Sequence, residues 1–210
     1  MLAPRGAFPF PFITMHLVDH QISKLAENDL FMPFVGEKRR MLDNGTKAIS
    51  YGLSQAGYDL RLSEEEFLIV DKTSKNGRAK VELDPKNFDG TTPYQAALNR
   101  KDGSSFFRLP PFSYGLGRSL ELISMPSNVI GLCDGKSTYA RCGIIINVTP
   151  IEPGWAGRLT ISISNPTPFP ALIYANEGIV QVMLHSIEEV GQAYTGSYQN
   201  SATISLPAVG

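Results

Sequence analysis

The sequence predicts an all-β fold, a sandwich or barrel, with one short helix near its start. After Pro33, apolar segments of about four to eight residues alternate with clusters of Gly, Pro, Asn and Asp, the texture of many short strands joined by turns. Apolar residues at sustained helical spacing are confined to one stretch, so helices cannot supply the core. At 210 residues the chain suits one substantial domain and is short for two.

Residues 1–14 are apolar but broken by Pro and Gly, which makes them an irregular arm rather than a spanning helix or a signal segment. Residues 15–210 then form a single domain. Over 15–27, MHLVDHQISKLAE places Leu17, Ile22 and Leu25 at roughly helical spacing with Asp19 as a cap, which predicts the helix. Strands are predicted at 58–62, 66–70, 105–109, 114–124, 129–132, 143–148, 158–164, 169–174, 179–186 and 203–206, mostly antiparallel. The polar, turn-rich stretch from Asp84 to Ser105 reads as a long surface loop with a short helix at 93–99.

Charge narrows the function. With 19 Lys and Arg against 20 Asp and Glu the formal net charge is −1, so no sequence-wide basic field exists to hold a nucleic acid polymer or an anionic membrane. Cys133 and Cys142 suit neither a metal knuckle nor a disulfide framework, and they read as two buried thiols in a reducing cytoplasm. His16, His20 and His185 have no partners at ligand spacing and read as packing or surface residues.

Residues 132–143 read LCDGKSTYARCG, and GKST resembles the end of a phosphate-binding P-loop. The upstream glycine, Gly131, is one residue too close. The following YARCGIIINVTP is β-branched and apolar, so strand rather than helix is expected after Thr138. Yet from Asp134 onward Lys136, Arg141 and Arg158 are the only strong cations, and two of them lie within six residues beside Ser137 and Thr138. That is either a polyanion site or a solvated turn.

Five segments in one order carry a resemblance: SYGLSQAGYDLRL (50–62), LDPKNFD (83–89), DGKSTYARCGIIINVTP (134–150), IEPGWAG (151–157) and YANEGIVQV (174–182). Together they resemble the dCTP deaminase branch of the trimeric dUTPase-like superfamily. The resemblance implies a distorted, dUTPase-like β-barrel of jelly-roll type and a homotrimer with nucleotide sites between neighbouring subunits. It implies a pyrimidine deoxynucleoside triphosphate as ligand, with Mg²⁺ bridging its phosphate oxygens. No zinc is implied, and no H-x-E with P-C-x-x-C occurs.

By the same resemblance Lys136, Ser137 and Thr138 hold phosphates, and Arg141 organises the catalytic pocket. Asn147, Val148 and Thr149 lie along sugar and base, and Ser137 helps fix the attacking water. Gln181, in YANEGIVQV, and the tail residues Tyr194, Tyr198 and Gln199 join the substrate-binding set. Two departures stand out. Where the deaminases carry a catalytic glutamate, in a pattern like T-L-E-F-S-N, this chain has TISISN with Ser162 in the glutamate's place. A hydroxyl can hold a water but cannot take its proton near neutral pH. The tail also lacks the family's lysine. Glu152 matches an acid that in dUTPases orients a water toward the α-phosphate and in several deaminases contacts only the sugar. A pyrophosphatase using Glu152 and a non-catalytic nucleotide-binding homotrimer are therefore the alternatives. Trp155 is expected to plug the turn after Pro153, and Asp59 with Arg61 is expected to form a buried ion pair.

Overall fold

The computed structural model of the chain describes residues 14–70, 84–86, 88 and 93–208. The expected N-terminal arm, Thr14 aside, and most of the expected loop before Pro93 lie outside the described residues. The elements run β1 (Met15–His16), α1 (Asp19–Ala26), β2 (Phe31–Met32), β3 (Arg39–Met41), β4 (Lys47–Ser54), β5 (Gly57–Val70), β6 (Tyr94–Gln95), β7 (Leu98–Lys101) and β8 (Ser104–Leu109). They continue with β9 (Ser113–Ser124), β10 (Val129–Gly135), α2 (Ser137–Ala140), β11 (Ile145–Asn147), β12 (Ala156–Asn165), β13 (Ala171–Ala175) and β14 (Gly178–Ser186).

Strand β5 organises the sheet. Its first half pairs with β14 and β4, setting Asp59 opposite Gln181 and Gly52. Its second half pairs with β9 and β6, setting Leu68 opposite Leu116 and Gln95. The register breaks between Leu62 and Phe67, so one strand turns a corner and serves both halves of a curled sheet. The path runs β1-β14-β5-β9-β12-β11, with β10 also on β14, and a second sheet has the order β13-β8-β7. The two sheets meet where Phe67 stacks on Phe107 with ring centroids 4.7 Å apart.

Period-two alternation fixes what each strand buries. Along β12, Leu159, Ile161 and Ile163 face the core while Arg158, Thr160, Ser162 and Ser164 face outward. The core gathers Leu60, Phe67, Ile161, Val180 and Leu184 around Tyr58, each side chain of this size contributing about 1.5–3 kcal/mol by leaving water. Tyr58 stacks on Phe31 at 4.4 Å, and its hydroxyl accepts the Val35 N–H at 3.0 Å. Helix α1 buries Ile22 against this core, and its N-terminus is closed by Gln21, whose side chain accepts the Val18 N–H at 3.1 Å. No helix among the described residues is long and apolar enough to cross a membrane.

Several expectations change. Segments 58–62 and 66–70 are one strand, and the hairpin strand β4 was not expected at all. The helix expected at 93–99 is absent: Tyr94–Gln95 and Leu98–Lys101 are strands, paired to β5 and β8. Residues 203–206 form no strand, because that segment spends its N–H groups on side chains of Glu66 and Thr160. The expected helix over 15–27 shrinks to Asp19–Ala26, with Leu17 buried in the extended chain before it. The thiols are not both buried: Cys133 is half-buried with its pKa pushed up to about 12 by burial and by Asp134, and Cys142 is exposed.

Candidate functional site

The GKST segment ends β10 and turns into α2. The expected direct passage into strand does not occur, since Arg141 N–H donates to Ser137 O at 3.1 Å and closes one helical turn before β11. Tyr139 anchors that turn: it is buried, and its hydroxyl accepts the Tyr174 N–H at 2.9 Å. With Tyr139 inward, Ser137, Thr138 and Arg141 are turned to the surface.

Lys136 points the other way. Its ammonium donates to Asp59 Oδ2 at 2.7 Å and to Ser50 Oγ at 3.0 Å, and its side chain is 11% exposed. Asp59 is fully buried, with its Oδ1 unpartnered. The expected Asp59–Arg61 pair is therefore replaced by two others. Alternation puts the two side chains on one face of β5, but each is taken by a different neighbour along that face. Asp59 meets Lys136, and Arg61 meets the buried Glu121, with Nε at 2.7 Å from Oε1. Burial raises the Glu121 pKa, opposed by the Arg61 guanidinium.

Strand β11 lies beside β12 in a register that sets Asn147 opposite Ser162. The chain then leaves through Val148 and Thr149 into the Glu152–Gly157 turn. Trp155 fills that turn as expected, buried, with its indole N–H donating to Tyr198 O at 2.9 Å. A cleft of about 340 Å³ opens here, lined by Thr149, Glu152, Trp155, Arg158, Tyr194 and Tyr198 among others. The tail forms one wall. Gln199 is spent on this closure: its Oε1 accepts the Ala156 N–H and its Nε2 donates to Gly154 O, both at 2.9 Å. Gly157, at φ +145°, bridges Ser201, and a Cβ there would stand 2.9 Å from Ser201 O.

Thr138 lines a different cleft, of about 470 Å³, with Ser50, Lys38, Arg40, Lys47 and Glu177. Glu177 is 2% exposed; its Oε2 accepts the Ile49 N–H at 2.6 Å, its Oε1 has no hydrogen-bond partner, and burial raises its pKa. These cations and Glu177 were missed in the sequence. The KRR run at 38–40 was the signal, but only the β3–β4 hairpin places it opposite Thr138. Gln181 lies on β14 opposite Asp59 and Asp134 and lines neither cleft. Among the described residues no group of three His, Cys, Asp or Glu side chains could hold a metal ion.

A curled, largely antiparallel sheet turned at a corner strand, with its polar turn and clefts at the surface, is a dUTPase-like β-barrel. A solved structure shares this fold: the 2′-deoxycytidine 5′-triphosphate deaminase from Agrobacterium tumefaciens, at a TM-score of 0.54 and 18% identity, over 82% of this chain and 48% of that one. The present chain thus spans about half of that protein's length. A family model described as dCTP deaminase-like matches residues 36–187. Similar curated proteins are the dCTP deaminases of Chromobacterium violaceum, 40% identical over 194 residues (90% of this chain, 96% of that one), and Nitrosospira multiformis, 40% identical over 196 residues (91% and 97%). The chain belongs to the dCTP deaminase-like family, as its motifs suggested.

Proposed function

We propose that this protein is a dCTP-deaminase-type homotrimer that binds pyrimidine deoxynucleoside triphosphates with Mg²⁺ between neighbouring subunits. In this reading it deaminates dCTP slowly at most, because Ser162 stands where the deaminases carry their base. One observation carries it. Ser137, Thr138, Arg141, Asn147, Glu152 and Ser162 make no side-chain hydrogen bond among the described residues, although neighbouring polar groups such as Lys136 and Gln199 are spent internally. Unspent donors and acceptors that match a family's substrate contacts are what a ligand completes.

Thr138 and Glu152 line separate clefts in one chain. A second subunit supplying the facing half resolves that separation, and the exposed edge strand β11, with Ile145 57% exposed, offers a surface for it. Mg²⁺ fits as an ion carried by the phosphates rather than by a protein cluster, lowering repulsion between phosphate oxygens. Arg141 and the Ser137 and Thr138 hydroxyls then meet the anion, and the open end of β11 lies along the base. Glu152, an exposed carboxylate in the first cleft, supports release of pyrophosphate as the second reading.

Calorimetry with dCTP, dUTP and dTTP in Mg²⁺ tests the reading. Binding of at least one is expected, with Arg141→Ala weakening it by about 1.5–3 kcal/mol, the range for a charged hydrogen bond. No binding by the native protein to any of the three would overturn it.

A further inference from the structure

The tail residues 194–201 carry no Lys or Arg, and Lys136, the residue beside the exposed Ser137 and Thr138, is held by Asp59 at 2.7 Å. Other cations stand where one is needed. In the 470 Å³ cleft that Thr138 and Ser50 line, Lys38, Arg40 and Lys47 rise from one hairpin and its approach. Arg40 and Lys47 form no ion pair among the described residues. Lys38 has only the distant Asp59 Oδ2, at 3.9 Å, which it shares with Lys136. Counting Lys136, four cations meet two carboxylates, Asp59 and Glu177, and two positive charges remain uncompensated. Like charges gathered at one cleft repel one another and gain most from a polyanion that binds several at once.

We infer that Lys38, Arg40 and Lys47 form a polyphosphate subsite, reached past Thr138, that takes the terminal phosphates of the bound nucleotide in place of the tail lysine. The inference deepens the proposed function and rests on it for the identity of the ligand. It does not rest on it for the chemistry, because the cleft's recognition is of linked phosphates. Its position also explains Glu177: a buried carboxylate among cations holds the Ile49 N–H and so fixes strand β4, which carries Lys47, against the cleft.

The probes are inorganic tripolyphosphate and, separately, dCTP, each with Mg²⁺, titrated calorimetrically into the native protein and into Lys38→Ala/Arg40→Ala/Lys47→Ala. Native protein should bind tripolyphosphate, and the triple variant should bind it about tenfold or more weakly. The charge-preserving Lys38→Arg/Arg40→Lys/Lys47→Arg should bind it more tightly than the triple alanine variant, since the cleft keeps its charge. The single reversal Lys47→Glu, on an exposed side chain, should also weaken binding and serves if the triple alanine variant melts early. Native protein that ignores tripolyphosphate, or charge-removed variants that bind it unchanged, would overturn the subsite. Tripolyphosphate bound while dCTP, dUTP and dTTP are all ignored would uphold the subsite while removing the nucleotide reading. Equal dCTP affinity in native and charge-removed proteins would remove the subsite and leave the nucleotide reading standing.

Discussion

Lys136 shows how a residue singled out by motif can answer to a different partner in the fold. Its spacing beside Ser137 and Thr138 was legible in the sequence, whereas the buried Asp59 that holds it comes from β5, 77 positions away. No local pattern reports such a pairing. Removing either partner leaves a buried charge alone, so Lys136→Met and Asp59→Asn should each cost about 3–5 kcal/mol of stability, and the double variant less than their sum. Denaturant unfolding of the three variants checks this, and additive losses would contradict the pairing. Glu177 gives a prediction with a sign. Because burial raises its pKa, the folded chain keeps this proton to higher pH than the unfolded chain, whose carboxyl titrates near 4.5. The stability held by the protonated form is complete below 4.5 and is lost as pH rises through the folded value. Glu177→Gln, which keeps an acceptor for the Ile49 N–H, should therefore melt higher relative to native at pH 8 than at pH 4. An equal difference at both pH values in thermal melts would contradict it.

Individual strands were read well where apolar residues alternate, and poorly where tertiary pairing overrides pattern. Strand β12 announced itself because Leu159, Ile161 and Ile163 alternate with hydroxyls, and that same alternation turns Ser162 outward. Strands β6 and β7 were misread because their polar sequence owes its conformation to β5 and β8 rather than to its own preference. The one-turn helix α2 was missed because its stability comes from the buried Tyr139 rather than from helix length. The close approach of β14 to β4 was invisible too. It depends on Gly178, where an added Cβ would lie 2.0 Å from the Ser50 carbonyl oxygen, backbone that cannot swing aside. Gly178→Ala should cost about 3 kcal/mol, while Gly191→Ala, with nothing within 4 Å, should leave the unfolding midpoint unchanged. Equal effects at the two positions would mean that the β4–β14 contact is not tight.

For the molecule as a whole, composition and strand texture sufficed for the all-β class, and the motifs sufficed for the family. Which residues share a cleft was not legible, since Thr138 meets Lys38, Arg40 and Lys47 only through the β3–β4 hairpin. The account expects a trimer in solution, and light scattering giving a monomer at micromolar concentration would contradict the shared site. In the proposed function a dCTP deaminase scaffold keeps its substrate contacts while the Ser162 hydroxyl holds the place of the base. Losing a general base costs on the order of 10²–10⁴-fold. The most direct measurement follows ammonia and pyrophosphate separately when the native protein and Ser162→Glu are incubated with dCTP and Mg²⁺. The account predicts native ammonia release slower than about 0.1 per second, below the ordinary enzyme range, and faster release by Ser162→Glu. Native release at that rate or above, with Ser162→Glu no faster, would contradict it and place the base elsewhere.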